Sequence, residues 1–328
     1  MDQFQALVLE KGSEGTQLGM KQCDKSDLPE GEVTIQVAYS SINYKDALVG
    51  IQHQLAETFP LVPGIDLAGT IIHTETPEFS EGDEVIVTSY GLGTSHWGGY
   101  SELARVPKEW VVPLPEGLSL KEAMILGTAG LTAGLSIQRL EDNGLHPEQG
   151  TVLVAGATGG VGSLAVDMLS KKGYRVAAST GKAAEEDYLK NLGAAEIIGR
   201  KEIIDTDGTP TRKKQWAGAV DPVGGNTLQY ILSSLESGGS VATSGMVGGV
   251  KISTTVLPFI GRGVNWLGID SVQCPMKLRR KVWNRLSDDL KPVSLDKDIV
   301  NEVSLEDVPY VLEDILESKV RGRTIVKL

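Results

Sequence analysis

Along roughly the first 118 residues, apolar side chains come in short runs, several of them alternating with polar ones, at 5–9, 32–37, 69–72, 84–88 and 99–104. Glycines, prolines and acidic turns separate the runs. A period of two broken in this way predicts strands, and so a β-rich domain. At Ser119-Leu120-Lys121-Glu122 the period changes. A serine with a glutamate three residues on makes a capping box, and Ala123, Ile125 and Leu126 follow at helical spacing. A domain boundary is expected near residue 120.

From about residue 150, runs rich in Val, Ile and Ala alternate with helical stretches, with strands expected at 151–155, 175–179, 196–198, 217–220, 240–243 and 264–267. Strands of this composition joined by crossover helices imply a parallel sheet covered on both faces, so this part of the α/β chain is expected to be Rossmann-like. A helix over 304–316 and a strand over 324–326 are available to return to the first domain.

The stretch Gly156-Ala157-Thr158-Gly159-Gly160-Val161-Gly162 lies between the first of these strands and a helix. It departs from GxGxxG by placing Ala157 where the first glycine belongs. Strand, loop and helix are the context that motif needs: the first helical N–H groups and the positive end of the helix dipole suit a pyrophosphate. Thr158, Gly159, Gly160, Val161 and Gly162 are therefore candidate dinucleotide contacts. About 20 residues on, where NAD enzymes carry an Asp or Glu for the ribose hydroxyls, the text is Ser179-Thr180-Gly181-Lys182. Hydroxyls and an ammonium can donate to a 2′-phosphate that a carboxylate would repel, so NADPH is the expected cofactor. Arg200 is a second cation available to the same phosphate or the adenine.

Composition narrows the chemistry. The 328 residues, 41% hydrophobic, suffice for two cores, and 31 basic against 43 acidic residues give a net charge of −12, which argues against a nucleic-acid partner. Two cysteines, Cys23 and Cys274, far apart, supply neither a disulfide framework nor a four-thiolate zinc site. No apolar stretch approaches the roughly 20 residues of a membrane span, and the start carries no basic and apolar leader, so a cytoplasmic protein is expected. None of the 8 tyrosines is followed four residues later by lysine, which removes the short-chain dehydrogenase pair, and neither GxxxxGK[ST] nor GxSxG occurs. The 4 histidines are widely spaced; only His96, in Ser95-His96-Trp97-Gly98-Gly99-Tyr100, is a candidate for the pocket rim.

Phe79-Ser80-Glu81-Gly82-Asp83-Glu84-Val85, Gly98-Gly99-Tyr100-Ser101-Glu102, Gly127-Thr128-Ala129-Gly130-Leu131-Thr132-Ala133 and Leu235 through Gly245 resemble turns and the domain-crossing helix of the medium-chain dehydrogenase/reductase superfamily. Where its zinc members have Gly-His-Glu-x-x-Gly, this chain has Gly64-Ile65-Asp66-Leu67-Ala68-Gly69; no cysteine lies near Asn43, and the four-cysteine lobe is missing. The resemblance is thus to a zinc-free branch with no metal site. Ser40 through Leu48, Pro63 through Asp66, His96 through Gly99 and Gly322-Arg323-Thr324 resemble the bacterial acrylyl-CoA reductase and quinone oxidoreductase-like family.

That resemblance implies a GroES-like catalytic domain over residues 1–120 plus 300–328 and a Rossmann NADPH-binding domain over 121–299. It implies hydride transfer to an activated C=C bond or a quinone, which needs hydrogen-bond donors and a proton for the developing enolate rather than a Lewis acid. It places Tyr44 against the nicotinamide as donor to the enolate, with Asn43 and Asp46 holding its segment, and adds Thr128, Gly245, Met246 and Ile269 to the cofactor contacts. An enoyl-CoA or a quinone is the implied substrate. Lys277-Leu278-Arg279-Arg280-Lys281, with Arg285 a turn further, is the densest cation cluster to meet the phosphates of CoA; a solvated helix face is the alternative. A homodimer through a sheet edge at 264–269 follows by analogy. A sensor or scaffold that binds NADPH without turnover remains the competing class.

Overall fold

The computed structural model describes residues 3–13, 15–297 and 299–328, and the chain divides into two compact units. The first comprises Met1–Thr128, Val272–Asn284 and Val300–Leu328; the second comprises Ala129–Ser271 and Arg285–Ile299. In chain order the first unit opens with β1 (Gln3–Gly12) and β2 (Gly15–Asp24), paired as a hairpin, followed by β3 (Val33–Ile42), α1 (Tyr44–Gly50), β4 (Asp66–Thr74), β5 (Glu84–Thr88), β6 (Leu103–Val106) and β7 (Val111–Pro113). The helix α2 (Leu120–Asp142) leaves it. The second unit then contributes β8 (Thr151–Val154), α3 (Gly160–Lys171), β9 (Arg175–Thr180), α4 (Glu186–Asn191), β10 (Glu196–Gly199), β11 (Trp216–Asp221), α5 (Gly225–Ser234), β12 (Leu235–Thr243), α6 (Leu257–Arg262) and β13 (Asn265–Gly268). After α7 (Met276–Ser287), β14 (Val300–Ser304), α8 (Val308–Leu316) and β15 (Arg323–Lys327) complete the first unit.

The sheet of the first unit runs β14-β15-β3-β4-β5-β7, with β6 also on β3. Its inner face packs Val33, Ile35, Leu67, Val85, Val87 and Val106, the alternate positions of their strands, with no more than 1% of any exposed. The C-terminal return expected from the sequence joins here: β15 lies antiparallel to β3 with Thr324 opposite Ile42, and Ser40 pairs with Leu67 of β4. This register brings Arg323, Ser41, Asn43 and Asp66 to one corner of the sheet.

The second unit is a parallel sheet in the order β10-β9-β8-β11-β12-β13. Counted within the unit this is 3-2-1-4-5-6, the doubly wound dinucleotide fold, whose direction reverses between its first and fourth strands. β8, which feeds the glycine loop, stands at that reversal. Leu153, Ala177, Ala219, Leu228, Ile231 and Val241 pack the core beside it.

The Ser119–Glu122 cap forms as expected: Glu122 N–H donates to Ser119 Oγ at 3.2 Å and Ser119 N–H to Glu122 Oε2 at 2.9 Å. The segment holding Tyr44 is a short helix. One feature differs from the sequence reading: the run at 99–104 becomes a strand only from Leu103. Ser101 reaches an isolated bridge to Ala6, because the hairpin strand β1 competes there for its backbone.

Candidate active site

In the first unit the corner is built around Asp66, which is fully buried. Its Oδ2 accepts from Ser41 Oγ at 2.6 Å, Asn43 Nδ2 at 2.8 Å and the Thr128 N–H at 2.8 Å; its Oδ1 accepts from Thr128 Oγ1 at 2.5 Å. The backbone donor exists because α2 breaks at Gly127, whose φ of 50° and ψ of −154° interrupt the helix one residue earlier. A side chain at Gly127 would be strained by that φ, and its Cβ would lie 2.6 Å from both Asp66 Oδ2 and Ser41 Oγ. Thr128 gives its only hydroxyl proton to Asp66, so Ser89 Oγ, 3.0 Å away, donates to Thr128.

Arg323 stands behind this carboxylate, 3% exposed. It donates to the carbonyls of Ile125 at 2.8 Å and Ile42 at 3.1 Å, to Ser41 Oγ at 2.9 Å and to Asn43 Oδ1 at 3.2 Å. Ser41 and Asn43 each accept from the guanidinium and donate to Asp66. Two hydrogen-bonded bridges thus join cation to anion, and they settle the Asn43 amide with its oxygen toward Arg323. Burial lowers the Arg323 pKa, while Asp66 and Asp46 oppose that shift.

Asp46 takes Asn43 N–H at 2.8 Å and Ile65 N–H at 2.9 Å on its two oxygens. Burial, then the nearby Asp66 charge, pushes its pKa up from 3.8 to about 7, against the pull of those two N–H groups. Asn43 is the N-cap of α1 and Tyr44 its first residue. The Tyr44 phenol at this helix start is 40% exposed and makes no hydrogen bond among the described residues, whereas Asn43 and Asp46 beside it are buried and hydrogen-bonded. Ile65, in the histidine position of zinc enzymes, is 1% exposed and packs as hydrocarbon. His96 serves the frame: Nε2 meets the Arg105 carbonyl at 2.7 Å and the ring stands edge-on to Trp110.

In the second unit the sequence-predicted residues gather at the carboxyl ends of the strands, where open α/β sheets bind ligands. The loop after β8 turns on Gly156, φ 57°, which takes the left-handed turn, while Ala157 is fully buried and donates its N–H to the Ser179 carbonyl at 2.9 Å. Gly159 caps α3, leaving the N–H groups of Gly160, Val161 and Gly162 without intrahelical acceptors. A Cβ on Gly162 would sit 2.3 Å from the Gly156 carbonyl oxygen, so only glycine lets the loop close this tightly. Thr158 Oγ1 lies 3.4 Å from Thr180 Oγ1, which accepts Lys182 N–H at 3.0 Å.

The Arg200 guanidinium lies over Gly181, where an added Cβ would come within 2.8 Å of Cζ. Arg200 is exposed and makes no ion pair among the described residues. Gly245 and Met246 follow β12, and Ile269 follows β13 with its N–H on the Thr243 carbonyl at 3.0 Å. A helix start with open N–H groups, a glycine floor and cations at the end of β9 fit the pyrophosphate and 2′-phosphate of an NADP-type dinucleotide.

Sequence reasoning alone assigns no role to Asp66, Ser41 or Arg323. The signal was an arginine at the head of an otherwise buried strand, Thr324-Ile325-Val326. Of the cation cluster, Arg279 is fully buried and Arg285 is paired with Glu141 at 2.7 Å and Asp289 at 2.6 Å, so neither is available to a ligand. Among the described residues no three His, Cys, Asp or Glu side chains converge as a ligand set.

Comparison with known proteins places this geometry. Residues 29–116 match the alcohol dehydrogenase GroES-like domain and residues 160–288 the zinc-binding dehydrogenase domain. The chain is 55% identical to the Bacillus subtilis protein yhfP, solved with NAD bound, over 100% of both chains with a TM-score of 0.97. It is 46% identical to the yhdH oxidoreductase of Salmonella enterica, solved with NADP, over 99% of both chains with a TM-score of 0.95. It is also 47% identical to the acrylyl-CoA reductase AcuI of Ruegeria pomeroyi over 98% of both chains. The chain therefore belongs to the medium-chain dehydrogenase/reductase superfamily of oxidoreductases, in the family of YhfP, YhdH and AcuI.

Proposed function

We propose that this protein is an NADPH-dependent reductase of α,β-unsaturated thioesters of the acryloyl-CoA class. The observation that carries the reading is the Tyr44 phenol, exposed and without a hydrogen bond among the described residues, at a helix start held by the buried, hydrogen-bonded Asn43 and Asp46. The 47% identity to an acrylyl-CoA reductase over 98% of both chains supports the substrate class, and Thr180, Lys182 and Arg200 around Gly181 support NADPH. NADPH, when bound, supplies the hydride that adds to the β-carbon of the substrate. The C=C electron pair then moves onto the thioester oxygen, and a proton completes the reduction at the α-carbon.

Tyr44 donates a hydrogen bond or the proton to that enolate. Asn43 and Asp46 hold the helix start, and Asp66 with Arg323 holds Asn43; they position the donor without touching substrate. In the second unit the α3 N–H groups take the pyrophosphate, and Lys182 and Arg200 take the 2′-phosphate.

A quinone accepts hydride by the same chemistry, and the Bacillus subtilis relative YhfP is provisionally named a quinone oxidoreductase. NADPH oxidation with acryloyl-CoA, crotonyl-CoA and a benzoquinone separates the readings. The expected order has acryloyl-CoA first in kcat/KM. A benzoquinone preferred over both thioesters would replace the substrate class, and NADPH binding with no turnover of any would mark a sensor or scaffold. Tyr44→Phe should lower kcat with acryloyl-CoA by about 100-fold or more, the low end of general-acid contributions. An unchanged kcat would remove the donor role.

A further inference from the structure

We propose that the exposed face of α7 carrying Lys277, Arg280 and Lys281 docks the nucleotide phosphates of a coenzyme A thioester, a subsite that rests on the enoyl-thioester reading above. The cation cluster of this segment is sorted by the fold. Arg279, Val282 and Trp283 are buried on one side of the helix. Lys277, Arg280 and Lys281 are exposed, and their i, i+3, i+4 spacing puts them on one face. None of the three makes a hydrogen bond or ion pair among the described residues, and α7 contains no Asp or Glu to neutralise them.

Lys21, Lys108, Lys121, Lys190 and Lys319, by contrast, each have a carboxylate partner in this chain of net charge −12. An unneutralised triad on one helix face lowers the electrostatic barrier to a polyanion there. A quinone carries no charge for it to meet. Coenzyme A carries a diphosphate and a 3′-phosphate, separated from its thioester by a long flexible arm.

The face is also held rigidly. Arg279 donates to the Thr88 carbonyl at 2.9 Å, to Thr88 Oγ1 at 2.7 Å and to the Val272 carbonyl at 3.2 Å, and lies 4.3 Å over the Tyr90 ring. Tyr90 Oη returns a bond to the Cys274 carbonyl at 3.1 Å. Between Thr88 and Tyr90 stands Ser89, which donates to Thr128; Thr128 donates to Asp66, and Asp66 holds Asn43 beside Tyr44. Within the first unit, the cationic face and the proposed proton donor therefore belong to one hydrogen-bonded frame. A thioester carbon and its distant phosphates can then be fixed by the same rigid body.

The test is binding of unacylated coenzyme A to the NADPH-saturated enzyme, followed by calorimetry at low salt. The expected result for the triple variant Lys277→Gln/Arg280→Gln/Lys281→Gln is a Kd at least about 10-fold weaker than wild type, with the wild-type Kd itself weakening as salt screens the contact. The ratio of kcat/KM for acryloyl-CoA to that for acryloyl-N-acetylcysteamine, which lacks the nucleotide, should fall by a similar factor. All three side chains are exposed, so melting of the variant should match wild type; Arg280→Gln alone gives a smaller effect of the same sign.

A variant that binds coenzyme A as tightly as wild type overturns the site, as does a wild type that does not bind it. Reduction of the N-acetylcysteamine thioester reports on the reductase reading separately. If that turnover is present while coenzyme A binding ignores the substitutions, the phosphate site fails alone. If wild type reduces neither thioester, the reading fails and the site with it.

Discussion

Asp66 takes four hydrogen bonds in a site from which water is excluded, and its charge offsets that of the buried Arg323 guanidinium. Removing one member of such a pair leaves the other charge buried and uncompensated. Asp66→Ala is therefore expected to destabilise the protein by about 3–5 kcal/mol in urea unfolding; a loss below about 1 kcal/mol would mean that Asp46 and the carbonyls alone satisfy Arg323. Asp46 makes the opposite kind of prediction. Its pKa is raised from 3.8 to about 7, so the folded protein keeps a proton that the unfolded chain has released. The resulting stability is complete below the unfolded value and is lost as pH rises toward the folded one. Relative to Asp46→Ser, the wild type should thus lose up to about 4 kcal/mol of unfolding free energy between about pH 4 and pH 7. Unfolding titrations at both ends of that window measure it, and a flat difference would show a carboxylate ionised throughout.

Among the elements, the glycine loop and the turn after β9 divide the work of holding a dinucleotide. The loop and α3 suit any pyrophosphate; in the proposed function Lys182 and Arg200 distinguish the 2′-phosphate. Arg200→Ala should weaken NADPH binding by about 10- to 100-fold, the value of a charge-assisted hydrogen bond, and leave NADH binding unaltered. Equal losses for both cofactors would put Arg200 on the adenine instead. Several elements escaped sequence reading for physical reasons. β2 is exposed along most of its length and is a strand because β1 pairs with it, so its residues carry no burial period. β14 is a polar edge strand of the same kind. α1 has seven residues, too few to display a period of 3.6, and its start is marked only by Asn43 and Asp46. The Ser119–Glu122 start was legible because cap and periodicity coincide there.

At the scale of the whole molecule, β13 is the last strand of the parallel sheet, and Val256, Ile260 and Trp266 near it are 65%, 77% and 47% exposed. An open strand edge with apolar side chains around it favours pairing with a second copy. We propose a homodimer there: the full chain should sediment as a dimer and Ile260→Glu/Trp266→Glu as a monomer, while a wild-type monomer would refute the contact. Among the described residues no helix is long and apolar enough to cross a membrane.

Periodicity and composition alone determined the β-rich and Rossmann-like halves, the C-terminal return strand and the glycine loop between strand and helix, because each is written in local spacing or in residue type at a fixed offset. Tertiary structure decided which polar residues act together. Ser41, Asn43, Asp66, Thr128 and Arg323 are separated by as many as 282 positions along the chain, and only the pairing of β15 with β3 and the break at Gly127 make them one network. It also decided which cations of α7 remain in solvent, since burial and pairing depend on what the fold places opposite each side chain.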